Sequence, residues 1–206
     1  MVRTVAGRLL EAGRIGLLPA VFNPPTIAHM ALAEQAQRSF KLDQVVYVLP
    51  EALPHKRIER PGIEVRLSWL AALAAVQPCR AAASCRAGLV IEIVRAFQKV
   101  LGNQCELFVI AGRDAAERYS SWDYGDGESF AEQLQRYRLL VASRNGGYRV
   151  PREHADRILP FEIDGRSGAA SSTAAREAIS AGRPWRHLVP TEIHSDVQAA
   201  YGGSNP

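Results

Sequence analysis

The sequence predicts an α/β fold, a doubly wound and mostly parallel sheet with helices on both faces. Short apolar runs of strand length alternate with segments of helical periodicity, which implies a parallel sheet covered on both faces. The composition agrees: 206 residues, 47% hydrophobic and 22% charged, enough to bury a core and too apolar for a disordered chain.

The elements follow in order. Residues 15–21 read as a buried strand, Asn23-Pro24-Pro25-Thr26 as a turn, and residues 27–40 as a helix. Residues 45–49 form the next strand, ended by Pro50 and Pro54. Residues 63–76 and 89–101 are helical, the second with Val90, Ile93, Val94, Phe97 and Leu101 on one stripe. Residues 107–111 are a strand and Gly112 a turn. Ser129 and Glu132 have capping-box spacing for a helix reaching about Tyr137. Strands at 139–142 and 158–163 precede helices at 172–181 and 190–201, with Pro190 at a first helical position and Gly202 as the stop. Residues 1–206 are read as one domain, with 1–14 an N-terminal helical arm.

Several function classes are disfavoured. Arg3, Arg8, Glu11 and Arg14 interrupt any signal-like apolar start, and the longest uncharged run, residues 67–79, is shorter than the roughly 18 residues of a membrane span. Three cysteines without CxxC spacing argue against a disulfide framework or a zinc site, so a cytoplasmic, reduced protein is expected. The net charge of +4 suits anionic ligands, but the basic residues are dispersed rather than gathered in a nucleic-acid-binding stripe. Acidic residues at 123, 126 and 128 lack the spacing of a calcium loop.

In doubly wound sheets ligands bind beyond the carboxyl ends of the strands. Four clusters stand there. Val21, Phe22 and Thr26 lead to His29 in the first turn of a helix, where free N–H groups favour an anion; His29 read alone is a half-buried helix histidine. His55 and Lys56 follow the second strand. Gly112 permits close backbone approach and Asp114 suits a ribose hydroxyl or a metal-bound water, with Trp122 eight residues beyond. Ser171, Ser172 and Thr173 open a helix carrying Arg176, a cradle for a polyphosphate and also an ordinary N-cap.

In this order the clusters resemble the nucleotidylyltransferase superfamily named for its (H/T)xGH motif, and within it the nicotinate-nucleotide adenylyltransferase family. Residues 21–29 are similar to the family's G-G-[ST]-F-[DN]-P-x-H-x-G-H, with Pro19-Ala20 in place of the glycine pair, Thr26 for the first histidine and Ala28 for the glycine. Leu42-Asp43 to Pro54-His55-Lys56, Gly112/Asp114/Trp122, Arg144, Ser171-Ser172-Thr173 with Arg176, and Leu188-Val189-Pro190 with Tyr201 match its remaining motifs, so the likeness spans residues 15–201. Residues 79–93 lack its Ser-Tyr-x-x-Asp-Thr pattern; Arg80 and Arg86 stand there as substitutes.

The resemblance implies a Rossmann-like nucleotidylyltransferase fold and transfer of an adenylyl group from ATP to nicotinate mononucleotide, with Mg²⁺ and release of pyrophosphate. It assigns catalysis to His29, Arg176 and Lys56, and nucleotide binding to Val21, Phe22, Thr26, Gly112, Asp114, Ser171, Ser172 and Thr173. The acceptor falls to His55, Trp122 and Arg144, with no protein metal ligand. Partners are small molecules, without nucleic acid or membrane, and a homo-oligomer is left open. Two alternatives stand beside this: a nucleotidylyltransferase, cytidylyl transfer included, for another small phosphorylated acceptor, or a nucleotide-binding homologue without turnover.

Overall fold

The structure, a computed structural model, describes residues 1–52, 60–143, 147–164 and 170–202. His55, Lys56 and Arg144 lie outside the described residues. Seven strands form one sheet: β1 (Val2–Ala6), β2 (Gly13–Pro19), β3 (Gln44–Pro50), β4 (Arg80–Cys85), β5 (Cys105–Gly112), β6 (Arg138–Ser143) and β7 (Ile158–Glu162). Their order is β1-β4-β3-β2-β5-β6-β7, and every pair is parallel except β1 with β4.

The helices are α1 (Ile27–Phe40), α2 (Ile63–Ala75), α3 (Val90–Leu101), α4 (Arg113–Ser121), α5 (Phe130–Gln133), α6 (Ser172–Ser180) and α7 (His194–Gly202). Strand alternation divides the core in two. Leu18, Val45, Tyr47, Leu49, Phe108 and Ile110 pack with α1, α2, α6 and α7. Ile15, Leu17, Val46, Val48, Leu107 and Val109 pack with α3, α4 and the segment after α5. The period of two along each strand thus builds two apolar layers from one sheet. The predicted stripe of α3 is buried throughout, from 0% exposure at Val94 and Phe97 to 4% at Leu101.

From β2 the chain winds outward through β3 and β4, then returns across β2 to place β5, β6 and β7 on the other side. The reversal lies between β2 and β5, which pair from Gly13–Cys105 to Leu17–Val109. Beyond their carboxyl ends the departing segments diverge and leave a crevice.

Three sequence expectations are corrected, and one strand is added. Residues 2–6 form an edge strand, not a helical arm: Val-Arg-Thr-Val-Ala, with β-branched side chains at 2, 4 and 5, pairs antiparallel with β4. Arg80-Ala-Ala-Ala-Ser-Cys85 has little intrinsic strand preference, yet it is buried between β1 and β3, whose ladders fix its backbone. The helix capped by Ser129 stops at Gln133, after which the chain turns and buries Tyr137. Pro190 caps a 3₁₀ turn, Thr191–Ile193, so α7 begins at His194 and includes Gly202.

Gly13 enters β2 with φ +104°, and a Cβ there would stand 2.5 Å from Asp43 Oδ2, which accepts from Arg14 N–H at 2.7 Å. Gly13→Ala therefore strains the backbone and displaces that acceptor. We expect a loss of roughly 2 kcal/mol in urea unfolding; a midpoint unchanged from wild type would contradict this account.

Candidate active site

The segment joining β2 to α1 is anchored by contacts from three other elements. Phe22 sits at φ +48°, a conformation that disfavours side chains, yet its ring is 0% exposed. It packs 5.0 Å from the His29 ring and edge-on to Tyr47 at 6.1 Å, and this burial offsets the backbone cost. Three carbonyls of the loop are taken from outside. Arg66 Nη1 donates to Val21 O at 3.1 Å, Arg176 Nη1 to Asn23 O at 2.6 Å, and Ser172 Oγ to Pro24 O at 2.8 Å. The Asn23 side chain accepts from the Tyr201 hydroxyl and donates to Arg60 O at 3.4 Å.

Thr26 is the N-cap of α1 and is fully buried. Its N–H donates to His29 Nδ1 at 3.1 Å, and its Oγ1 lies 2.8 Å from the same nitrogen. An N–H can only donate, so Nδ1 is the acceptor and the neutral ring carries its proton on Nε2. Burial pushes the His29 pKa down to about 4. The imidazole is therefore a neutral donor of fixed tautomer at physiological pH. Phe22 and Thr26 cannot offer their side chains to a ligand, because both are spent in packing and capping; only their backbones remain.

His29 lines a cleft of about 480 Å³ at the β2/β5 reversal. Pro19 and Ala20 form one side; Gly112, Asp114 and Arg118 form the other, over a floor that includes Ile110 and Ala142. A Cβ on Gly112 would meet nothing within 4 Å, so the space above its backbone is open to a ligand. Gly112 also caps α4 without a side-chain bond, leaving first-turn N–H groups unfilled. Arg113 is paired with Glu117 at 2.6 Å, whereas Arg118 has no carboxylate within ion-pair distance among the described residues. Arg118, without a carboxylate partner among the described residues, and two helix N-termini make this an anion-favouring cleft.

The α6 cluster reaches the same loop from the far side. Ser171 Oγ accepts from Ala174 N–H as an ordinary cap, Ser172 is bonded to Pro24 O, and Thr173 Oγ1 accepts from Arg176 Nη2 at 3.2 Å. The hydroxyls are thus committed, and the N–H groups of Ser172 and Thr173 are what the helix start can present. Arg176 lines a neighbouring depression of about 620 Å³, with Arg183, Trp185 and Tyr201, rather than the His29 cleft.

The structure therefore brings His29, Gly112 and Asp114 together on one cleft and joins Ser172 and Arg176 to its loop. Trp122, just past α4, is not among the cleft-lining residues. Arg80 and Arg86 do not serve it either: Arg80 is buried against Gln37 and Cys79 O, and Arg86 lies 3.5 Å from Glu51. Sequence reasoning missed Arg66 and Arg118. A lone arginine within the apolar run of α2 was the signal for the first. Spacing of four from Asp114 would have signalled the second, had α4 been read as a helix.

The His29 environment carries a linkage. Its folded pKa lies below the unfolded value of 6.5, so between pH 6.5 and 4 the native state binds fewer protons than the unfolded chain. Stability present above pH 6.5 is lost as the pH falls, by on the order of 3 kcal/mol from this residue. Unfolding of wild type and His29→Asn across pH 4–8 should show this component in the wild type alone; parallel curves would contradict it.

The chain matches the model of the cytidylyltransferase-like family over residues 17–178. A relative from Thermus thermophilus, described as a "probable nicotinate-nucleotide adenylyltransferase", is 32% identical over 191 residues, covering 90% of this chain and 96% of its own. A Thermoanaerobacter relative of the same description is 28% identical over 200 residues, covering 90% and 92%. Two structures of Plasmodium falciparum nicotinic acid mononucleotide adenylyltransferase, complexed with APC and with NaAD, share the fold at TM-scores of 0.66 and 0.69. Both are 13% identical and cover 93% of this chain and 96% and 97% of theirs. With its crevice at the β2/β5 reversal and its match running through both cleft walls, the chain belongs to the cytidylyltransferase-like family and, within it, to the nicotinate-nucleotide adenylyltransferases.

Proposed function

We propose that the protein transfers the adenylyl group of ATP to nicotinate mononucleotide, releasing pyrophosphate and forming the dinucleotide precursor of NAD. The observation that carries this reading is near full-length similarity to relatives described by that activity, supported by a neutral His29 lining the cleft at the β2/β5 reversal. ATP and a pyridine mononucleotide are then its partners and the cytoplasm its compartment.

An acceptor phosphate oxygen attacks the α-phosphorus in line. The new P–O bond forms as the bond to the bridging α,β oxygen breaks, and pyrophosphate leaves. Such chemistry asks the protein for position and charge stabilisation rather than a covalent intermediate. His29 Nε2–H donates to the α-phosphate, where charge develops. Being neutral, it is a directed donor that needs no counter-ion. Val21 and Phe22 contribute backbone N–H groups. Arg176, with the Ser172 and Thr173 N–H groups after the Ser171 cap, holds the β and γ phosphates, and Lys56 supports them. Arg176 keeps donors beyond the two it spends on Asn23 O and Thr173. Gly112 and Asp114 face the adenosine ribose, while His55, Trp122 and Arg144 serve the acceptor.

No cluster of three metal-ligating side chains occurs among the described residues, and Asp114 is the only carboxylate among those lining the cleft. That donor set fits Mg²⁺ held mainly by the triphosphate, with Asp114 contacting its hydration shell. When bound, the ion neutralises charge on the leaving pyrophosphate.

Pyrophosphate release across ATP and CTP, paired with candidate mononucleotides, tests the reading. His29→Ala should lower kcat by roughly two orders of magnitude while weakening ATP binding far less; near-normal turnover would return His29 to a packing role. The deamidated mononucleotide should be preferred over its amide by about tenfold or more in kcat/KM, since a site built to meet a carboxylate leaves donors unpaired against an amide. Equal values would show that the phosphate chemistry, not the acceptor, is shared with the relatives.

A further inference from the structure

The loop of residues 20–26 is hydrogen-bonded on one side. Its carbonyls at Val21, Asn23 and Pro24 are occupied, while the N–H groups of Val21, Phe22 and Asn23 meet no acceptor among the described residues. The Val21–Phe22 peptide is trans, so the Phe22 N–H points away from the Val21 carbonyl and hence away from Arg66. Arg66 fixes that direction.

Arg66 is an unusual residue for its place. It is 5% exposed on the apolar helix α2, its Nε has no protein acceptor, and no carboxylate among the described residues lies within ion-pair distance. Burying a guanidinium is costly, and an apolar side chain of similar volume would pack α2 as well. Packing alone gives no reason for a cation here. Tyr201, on the last turn of α7, approaches the loop from another side. It stacks on Trp69 at 6.1 Å, and its hydroxyl donates to the Asn23 side chain, 178 residues away.

We propose that Arg66 and Tyr201 are positioning residues for nucleotidyl transfer. Arg66 holds the Val21 peptide so that the Phe22 N–H is aimed at a substrate phosphate, and it lends that site positive potential from beneath. Tyr201 fixes Asn23, tying the C-terminal helix to the same loop. This rests on the adenylyl-transfer reading above, and the test separates the two.

Arg66→Met, Arg66→Lys and Tyr201→Phe are compared with wild type in steady-state kinetics with ATP and nicotinate mononucleotide. ATP affinity is measured by calorimetry without acceptor. Arg66→Met should lower kcat about tenfold or more and weaken ATP binding about threefold, beyond any change in folded fraction. Arg66→Lys, which keeps the charge, should recover part of both. Tyr201→Phe should lower kcat about threefold or more. A folded Arg66→Met with kcat and ATP affinity within about twofold of wild type overturns the proposal, as does a loss that merely tracks unfolding. If Arg66→Met does not fold, Tyr201→Phe decides, and unchanged kcat there overturns it. If wild type leaves the mononucleotide untouched, the acceptor reading fails, and the ATP affinities still decide the positioning roles.

Discussion

The hydrogen bond from Arg176 to the Asn23 carbonyl, 2.6 Å long, joins parts of the chain 153 residues apart, and the geometry of the site depends on it and its neighbours. With Arg66 on Val21 and Ser172 on Pro24, it satisfies three of the loop's carbonyls from two helices, α2 and α6. A buried carbonyl left unpaired costs about as much as a lost hydrogen bond. Capture therefore does two things at once. It makes an irregular, proline-rich turn stable, and it leaves the N–H groups of Val21, Phe22 and Asn23 without an acceptor among the described residues. The left-handed Phe22, buried beneath, is held by the same arrangement.

His29 inherits its properties from that loop. Thr26 both starts α1 and fixes the imidazole tautomer, so the cap that forms the helix also prepares the donor. Burial keeps the ring neutral, and neutrality lets it sit among the unfilled N–H groups of a helix start without repulsion. The chain's basic excess behaves differently in different places. Exposed pairs such as Arg8–Glu11 and Arg38–Glu34 contribute little. Arg66, Arg118 and Arg176 have no carboxylate within ion-pair distance among the described residues, and all three lie on or beside the cleft and its loop.

The sheet supplies the frame. Because winding reverses between β2 and β5, the loop after β2 and the turn after β5 part from each other, and Gly112, paired with β6 but beyond the last β2 pairing, has open space where a Cβ would stand. The α6 start then closes on the loop from the opposite side. The catalytic histidine of the proposed reaction and the arginine assigned to the phosphates consequently share a loop without sharing a cavity wall.

Much of this was legible in the residues. The apolar runs at β2, β3, β5 and β6, the helix of residues 27–40 and the stripe of α3 announce themselves by period, because each buries a face set by its own backbone geometry. The motif residues name the chemistry, because phosphate and ribose demand particular donors whatever the fold. Tertiary structure decided the rest. The Ala-rich β4 is a strand only because β1 and β3 pair with it, and polar α4, with Ala116 its only buried residue, carries too weak an apolar stripe to be read. Arg80 and Arg86, close to the missing motif in sequence, are taken up by Gln37 and Glu51, whereas Arg66 lands under the loop. Sequence spacing fixes which side chains share a helix face or a turn; strand order alone fixes which turns meet, and this site is made where they meet.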